Sequence, residues 1–168
     1  MINIKENEDL ARLNHSCAHL LAQAIRHLYP EAKFWVGPVI SEGFYYDMDL
    51  GDVKITEEDL PKIEKEMKKI SKDGKRIVRH ELTKEEALEM FKDDLYKIDL
   101  INNMAEDTVI SCYTQGDFTD LCRGPHVDSV KEIKYFKLLK FSGAYYKGDS
   151  KIKCFKEYMV YVLELKKI

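Results

Sequence analysis

Four side chains able to act as metal ligands, nucleophiles or proton carriers fall into two short stretches of this 168-residue chain. His15-Ser16-Cys17-Ala18-His19 sets two imidazoles four residues apart. Cys122-Arg123-Gly124-Pro125-His126 sets a thiol and an imidazole at the same spacing. On a helix, groups at i and i+4 are neighbours on one face, so His15 and His19 can reach one point. Three chemistries follow. His15, His19, Cys122 and His126 form a sensible four-coordinate zinc set, although histidines on a helix also serve simply as pocket or surface groups. The zinc-protease pattern requires Glu directly after the first His, and Ser16 stands there, so that proteolysis is excluded. Cys122 with His126, oriented by Asp120, is a candidate nucleophile pair, against the alternative of a small polar wall residue. An imidazole near neutrality with an ammonium beside it can activate water. Lys97, between Tyr96 and Ile98, is the candidate ammonium, and its plain alternative is an ordinary surface lysine.

The elements that must position these groups are legible in part. Leu10, Leu13, Cys17, Leu20, Leu21, Ala24, Ile25 and Leu28 recur at helical spacing, predicting a helix over about 9–28 that Pro30 stops. His15 lies about 200° around that helix from both Leu13 and Cys17. His15, Ala18, His19 and Ala22 therefore predict a second, narrow face suited to lining a pocket. Residues 32–49 read as two extended pieces around Gly37-Pro38, with Phe44 and Tyr46 on one face and Tyr45 and Asp47 on the other. Thr56-Glu57-Glu58-Asp59 resembles a capping box that starts a helix with Leu60, Ile63, Met67 and Ile70 inward, closed by Gly74. Residues 76–82 alternate like a strand. Thr83-Lys84-Glu85-Glu86 caps a helix carrying Ala87, Met90 and Phe91, and residues 96–101 start another. A strand is predicted over 108–114, a loop over 117–126, and one or two strands over 135–146 with a bend at Ser142-Gly143. The segment 153–168 reads equally as helix or strand. The mixture predicts an α+β fold: a largely antiparallel sheet packed with helices, with a cleft between the HxxxH helix and the sheet.

Bulk properties narrow the class. A hydrophobic content of 45% suffices for a core, and 34% charged residues favour solubility. No apolar run approaches the roughly 18–20 residues of a membrane span, so no membrane partner is expected. The N-terminus lacks an apolar segment flanked by positive charge, so no secretory signal is expected. Cys17, Cys112, Cys122 and Cys154 include no CxxC pair and read as reduced thiols of a cytoplasmic protein. A net charge of −3 argues against a surface that binds nucleic acid everywhere. Lysines and arginines over 62–79 alternate with acids and read as a solvated helix face. Those over 131–153 have few acids among them and suit either solvent or phosphates. No repeat, low-complexity stretch or linker is evident, which predicts one domain over 1–168 with its core in about 10–150.

Taken together, His15-Ser-Cys-Ala-His19-Leu-Leu-Ala-Gln-Ala, Gly37-Pro-Val-Ile-Ser-Glu-Gly-Phe-Tyr-Tyr-Asp47, Asp120-Leu-Cys-Arg-Gly-Pro-His126 and Gly143-Ala-Tyr-Tyr-Lys-Gly-Asp-Ser150 closely resemble the N-terminal editing domain of bacterial-type threonyl-tRNA synthetases. The HxxxH and CxxxH pattern is similar, more loosely, to alanyl-tRNA synthetase editing domains and their freestanding relatives. The resemblance runs from about Leu10 to Ser150 and includes a small helical and strand subdomain at about 53–105; residues 153–168 diverge. It implies hydrolysis of serine mischarged onto threonine tRNA. By that resemblance His15 and Lys97 position and activate the attacking water. His19, Asp120, Cys122 and His126 hold the seryl group or shape its pocket, Asp120 facing its ammonium. Tyr46 and Tyr113 match pocket tyrosines that contact the terminal adenosine. The threonyl branch implies no cofactor and the alanyl branch implies zinc on His15, His19, Cys122 and His126; the Asp-Leu-Cys-Arg-Gly-Pro-His context favours the threonyl branch. The implied partners are the seryl-bearing acceptor end of threonine tRNA and, in a full-length enzyme, a class II catalytic domain. That domain and the family's ubiquitin-like domain do not match any part of this chain, so no aminoacylation is expected of it. It fits either an excised fragment or a freestanding editing protein. A zinc-dependent deacylase and a non-catalytic acceptor-end binding module stand as the alternatives.

Overall fold

The computed structural model describes residues 3–34, 39–41, 43–50, 53, 55–144 and 157–163. Helix α1 spans Glu8–Leu28, with the Asn7 side chain accepting the Leu10 N–H and Glu8 and Asp9 in the first turn. Both features stabilise a helix N-terminus, by satisfying an orphan donor and by complementing the dipole. The helix is buried almost continuously from Ser16 to Ile25. It is thus an internal element rather than a surface helix with one inward face.

Four short strands follow: β1 (Lys33–Phe34), β2 (Val39–Ile40), β3 (Gly43–Phe44) and β4 (Asp47–Asp49). Phe44 and Tyr46 are buried together, as their alternation predicts, while Tyr45 is half-buried. Gly37-Pro38 lies outside the described residues. Helix α2 covers Leu60–Asp73, preceded by a 3-10 turn at Glu57–Asp59 that holds the predicted capping box. The α-helix begins later than the box because Pro61 has no N–H to return to Glu57; Leu60 bonds Glu57 in the tighter i to i+3 pattern instead. Leu60, Ile63, Met67 and Ile70 are all buried, and Gly74 ends the helix at φ 67°. The lysines of α2 are exposed, as a solvated face requires.

Strand β5 (Val78–Leu82), helices α3 (Lys84–Met90) and α4 (Leu95–Asn102), and strand β6 (Ile110–Gln115) complete the middle of the chain. Ala87 is inward on α3, while Met90, the last residue of that helix, is 50% exposed. The predicted loop is half wrong. Phe118–Leu121 is strand β7, joined to β6 by the two-residue turn Gly116-Asp117, with Gly116 at φ 57°. A two-residue loop with positive φ is the geometry that matches hairpin twist. Strands β8 (Leu138–Ala144) and β9 (Glu157–Leu163) follow, β8 running straight through Ser142-Gly143.

All strand pairings among the described residues are antiparallel. In the larger sheet β9 is central, with β8 on one edge and β3 and β4 in succession along the other; β2 and β1 pair outside those. The segment that reads ambiguously in sequence thus supplies a central strand. The smaller sheet has the order β5-β6-β7. The α+β architecture with antiparallel sheets is as expected. One cluster of buried residues joins α1 (Leu20, Leu21, Ile25), the larger sheet (Phe34, Phe44, Met48) and α2 (Ile63, Met67), and reaches Phe118 of β7. A second, small cluster of Ala87, Ile101 and Ile110 ties α3 and α4 to β6. No helix among the described residues is long and apolar enough to cross a membrane.

Candidate functional site

The apolar residues of α1 enter the core, and so do Ala18 and Ala22, which the sequence pattern assigned to the pocket face. The pocket face is instead a polar stripe. His15, Ser16, His19, Gln23 and His27 recur at three- and four-residue steps and meet the β6–β7 hairpin and the loop after it. His15 and Ser16 touch that loop, His19 points at Asp120, and Gln23 and His27 bond Asp117. Ser16 and Gln23 are fully or nearly fully buried polar groups that sequence reasoning passed over. Their signal was a helical period in polar rather than apolar residues.

His15, His19, Cys122 and His126 converge, with ligand-capable atoms all within 4.8 Å of one another. Cys122 Sγ lies 3.2 Å from His15 Nε2 and 3.2 Å from His126 Nε2, and accepts the Gly124 N–H at 3.3 Å. His15 and His126 stack with centroids 4.2 Å apart, and His19 lies 4.4 Å from His126. His15 Nδ1 is 3.2 Å from the Pro125 carbonyl. A carbonyl only accepts, so Nδ1 carries the hydrogen and Nε2, facing the cluster, is the basic atom.

A buried ion pair stands beside the imidazoles. Lys97 Nζ is 2.9 Å from Asp120 Oδ1, and both residues are nearly inaccessible. The Asp94 carboxylate caps α4 by accepting the Tyr96 and Lys97 N–H groups, which fixes the turn that carries Lys97. Tyr46 donates its hydroxyl to Asp120 Oδ2 at 2.7 Å, and the Leu121 N–H donates to Oδ1. Tyr113 meets His126 edge-on, and its hydroxyl lies against Gly124, where a Cβ would collide with it; Gly124 also has φ 75°. All eight residues singled out from sequence therefore meet in one region between α1, α4 and the β6–β7 hairpin.

The electrostatics follow from burial. Desolvation lowers His15 below its ordinary 6.5, partly opposed by the Pro125 bond and Asp120. It pulls His19 down to about 4 and His126 to about 2, with neighbouring imidazoles adding to the effect. The Cys122 thiol is pushed up to about 11 by burial. Burial alone would raise Asp120, but Lys97 and the Tyr46 hydroxyl hold it below its usual value. At neutral pH the cluster is thus three neutral imidazoles and a neutral thiol beside one ion pair. The 3.8 Å approach of His19 Nε2 to Asp120 joins a neutral ring to a carboxylate and is too long for a hydrogen bond. His19 Nδ1 is buried without a hydrogen-bond partner. A cavity of about 660 Å³ lined by Lys5, Arg12, Val39 and Pro125 opens on His15, and one of about 260 Å³ lined by Arg26, Lys33 and Thr119 reaches Lys97 and Asp120. Among the described residues, Cys17, Cys112 and Cys122 are free thiols.

Residues 110–153 match the family described as the threonyl and alanyl tRNA synthetase second additional domain. That span holds Tyr113, Asp120, Cys122 and His126, while His15, His19, Tyr46 and Lys97 lie before it. Over most of its length the chain is similar to the N-terminal region of threonine–tRNA ligases, the threonyl side of this family. It is 55% identical over 146 residues to a threonine–tRNA ligase of Enterococcus faecalis, covering 86% of this chain and 23% of the relative. It is 57% identical over 148 residues to that of Anoxybacillus flavithermus, covering 87% and 23%. With the ligase of Acholeplasma laidlawii the identity is 52% over 151 residues, covering 90% and 23%. The chain thus spans about a quarter of the length of the curated relatives it matches.

Proposed function

We propose that this chain is a tRNA editing domain that hydrolyses the ester of serine mischarged onto threonine tRNA. The observation that carries the reading is the meeting of neutral imidazoles with a buried Lys97–Asp120 pair, in a chain more than half identical to threonine–tRNA ligases. The chemical need is plain. Serine lacks only the methyl group of threonine, and one methyl gives a synthetic site roughly 1–3 kcal/mol of discrimination. A second pocket that admits serine and rejects threonine multiplies it.

His15 takes the proton of the attacking water at Nε2, which the Pro125 carbonyl keeps basic. Lys97, held by Asp120, stabilises the charge that develops on the ester oxygen. The buried, unpartnered Nδ1 of His19 and the carboxylate of Asp120 receive the polar groups of the seryl moiety. Lys5 and Arg12, beside the larger cavity, suit the phosphates of the acceptor end. In a full-length enzyme of the cytoplasm, a class II catalytic domain supplies the substrate.

One observation favours a second reading, zinc-dependent deacylation of the alanyl type. The donor set fits zinc: three imidazoles and a thiol converge, His15 is oriented by a backbone carbonyl as metal-bound histidines are, and His19 Nδ1 lacks a partner. His15, His19, Cys122 and His126 would hold the ion, which when bound supplies Lewis acidity.

The test is deacylation of Ser-tRNA(Thr), Ala-tRNA and Thr-tRNA(Thr) by this chain alone, with and without a strong chelator. Serine-selective turnover that survives chelation is expected. Loss of activity in chelator transfers the chemistry to zinc, and saturable, salt-sensitive binding without turnover reduces the chain to an acceptor-end binding module. Equal cleavage of seryl and threonyl esters removes the sieve.

A further inference from the structure

Ser16 occupies the position that a zinc protease gives to Glu, and the family resemblance assigns it no role. It is fully buried. Its Oγ lies 3.0 Å from His126 Nδ1 and accepts the Val127 N–H at 2.9 Å. The hydrogens around Cys122 Sγ explain why a hydroxyl belongs there. Sγ contacts Nε2 of both His15 and His126 at 3.2 Å. A thiol has one hydrogen to give. His15 Nε2 is bare, because Nδ1 faces the Pro125 carbonyl, so the thiol donates to His15. The contact with His126 is then complementary only if His126 Nε2 carries a hydrogen and donates it to sulfur. That leaves His126 Nδ1 bare and in need of a donor. The Ser16 hydroxyl is that donor, since the Val127 N–H occupies only one of its lone pairs. The opposite tautomer would set a bare Nε2 against the lone pairs of sulfur.

We infer that Ser16 is a positioning residue that, with no cation bound, donates to His126 Nδ1 and so holds the Nε2–H tautomer that leaves the Cys122 hydrogen for His15. Its functional meaning rests on the hydrolytic reading: a thiol that donates keeps His15 Nε2 unprotonated, and that atom takes the proton of water when the attacking water displaces the thiol. A cation among the four side chains would demand the reverse: a bare His126 Nε2, with Nδ1–H donating to Ser16. The hydroxyl can serve either arrangement, so the His126 tautomer reports the state of the site.

The experiment is long-range proton–nitrogen correlation of the histidine rings in the full chain, labelled with nitrogen-15 and treated with chelator. Wild type is expected to show His126 as Nε2–H and His15 as Nδ1–H. Ser16→Ala is expected to mix the His126 tautomers while leaving His27 unchanged, and Ser16→Thr to keep the wild-type pattern. In single-turnover deacylation of Ser-tRNA(Thr), Ser16→Ala is expected to lose about tenfold in rate, by analogy with the outer partners of metal-bound histidines, with Ser16→Thr restoring most of it. His126 as Nδ1–H in the metal-free wild type overturns the inference, as does an unchanged tautomer in Ser16→Ala. If Ser16→Ala does not fold, the wild-type and Ser16→Thr spectra decide. Wild type with the expected tautomers and no deacylation overturns the hydrolytic reading alone, and the assignment of Ser16 stands.

Discussion

His19 and His27 lie eight residues apart on the same stripe of α1, and each faces an aspartate of the β6–β7 hairpin. Their protonation is nevertheless driven in opposite directions. His19 is buried, lies 3.8 Å from Asp120, and is pulled down to about 4 because desolvation outweighs the carboxylate. His27 is partly exposed and is bonded to Glu66 at 2.9 Å and Asp117 at 2.8 Å. Burial works against its charge, but those two carboxylates outweigh it and raise its pKa. The decisive variable is burial, complete at His19 and slight at His27, and the prior commitment of the acid adds to it. Asp120 is already neutralised by Lys97 and bonded by Tyr46, while Asp117 carries no buried ammonium among the described residues and takes the Gln23 amide besides His27. One end of the stripe is therefore a charged clamp joining α1, α2 and the hairpin, and the middle is a group of neutral bases. A clamp needs strong pairing, whereas a base at neutral pH needs an unprotonated ring nitrogen.

The largest stability effect that would break this contrast lies in the ion pair. Lys97→Met leaves Asp120 buried and unpaired and should cost about 3–5 kcal/mol in denaturant unfolding, with the double variant Lys97→Met/Asp120→Asn losing less. Equal losses in single and double variants would mean that the pair does not act as a unit. Next in size is acid. His19 and His126 are held neutral in the fold, so their contribution is fully present above 6.5 and is lost as pH falls from there toward their lowered values. Between pH 7 and pH 5 this should remove about 1–2 kcal/mol for each of the two. His27 works in reverse: its raised pKa contributes stability below 6.5 that disappears as pH rises through the folded value. Accordingly, His27→Gln should be silent at pH 8 and cost at most about 1 kcal/mol at pH 5, since the pair is partly solvated. A cost at pH 8 equal to that at pH 5 would remove His27 from the charged clamp.

Much of this arrangement is legible in the sequence, for local reasons. The apolar period of α1, the two capping boxes and Gly74 each rest on contacts within a few residues, and each appears where expected. Strand β7 was missed although its signal was also local: Gly116-Asp117 is a two-residue hairpin turn, and Phe118-Thr119-Asp120-Leu121 alternates buried and half-buried. The central place of β9 was beyond reach, since a strand pairing across more than 100 residues leaves no mark in its own spacing. The site divides similarly. HxxxH and CxxxH were visible as chemistry, and the resemblance joined them to Lys97. The Lys97–Asp120 pairing, the Tyr46 bond and the Ser16 bridge depend on tertiary contacts between α4, the hairpin and α1, which no periodicity encodes.

The central claim is that the middle of the stripe supplies a neutral imidazole as the base for hydrolysis of a seryl ester. The pH dependence of single-turnover Ser-tRNA(Thr) deacylation, in chelator, tests it most directly. The rate should hold from pH 8 down past 6.5 and fall with a midpoint below it, because burial lowers His15. In His15→Ala it should be at least about 100-fold slower, the scale of a lost general base. A midpoint above 6.5, or a His15→Ala rate equal to wild type, would contradict the account.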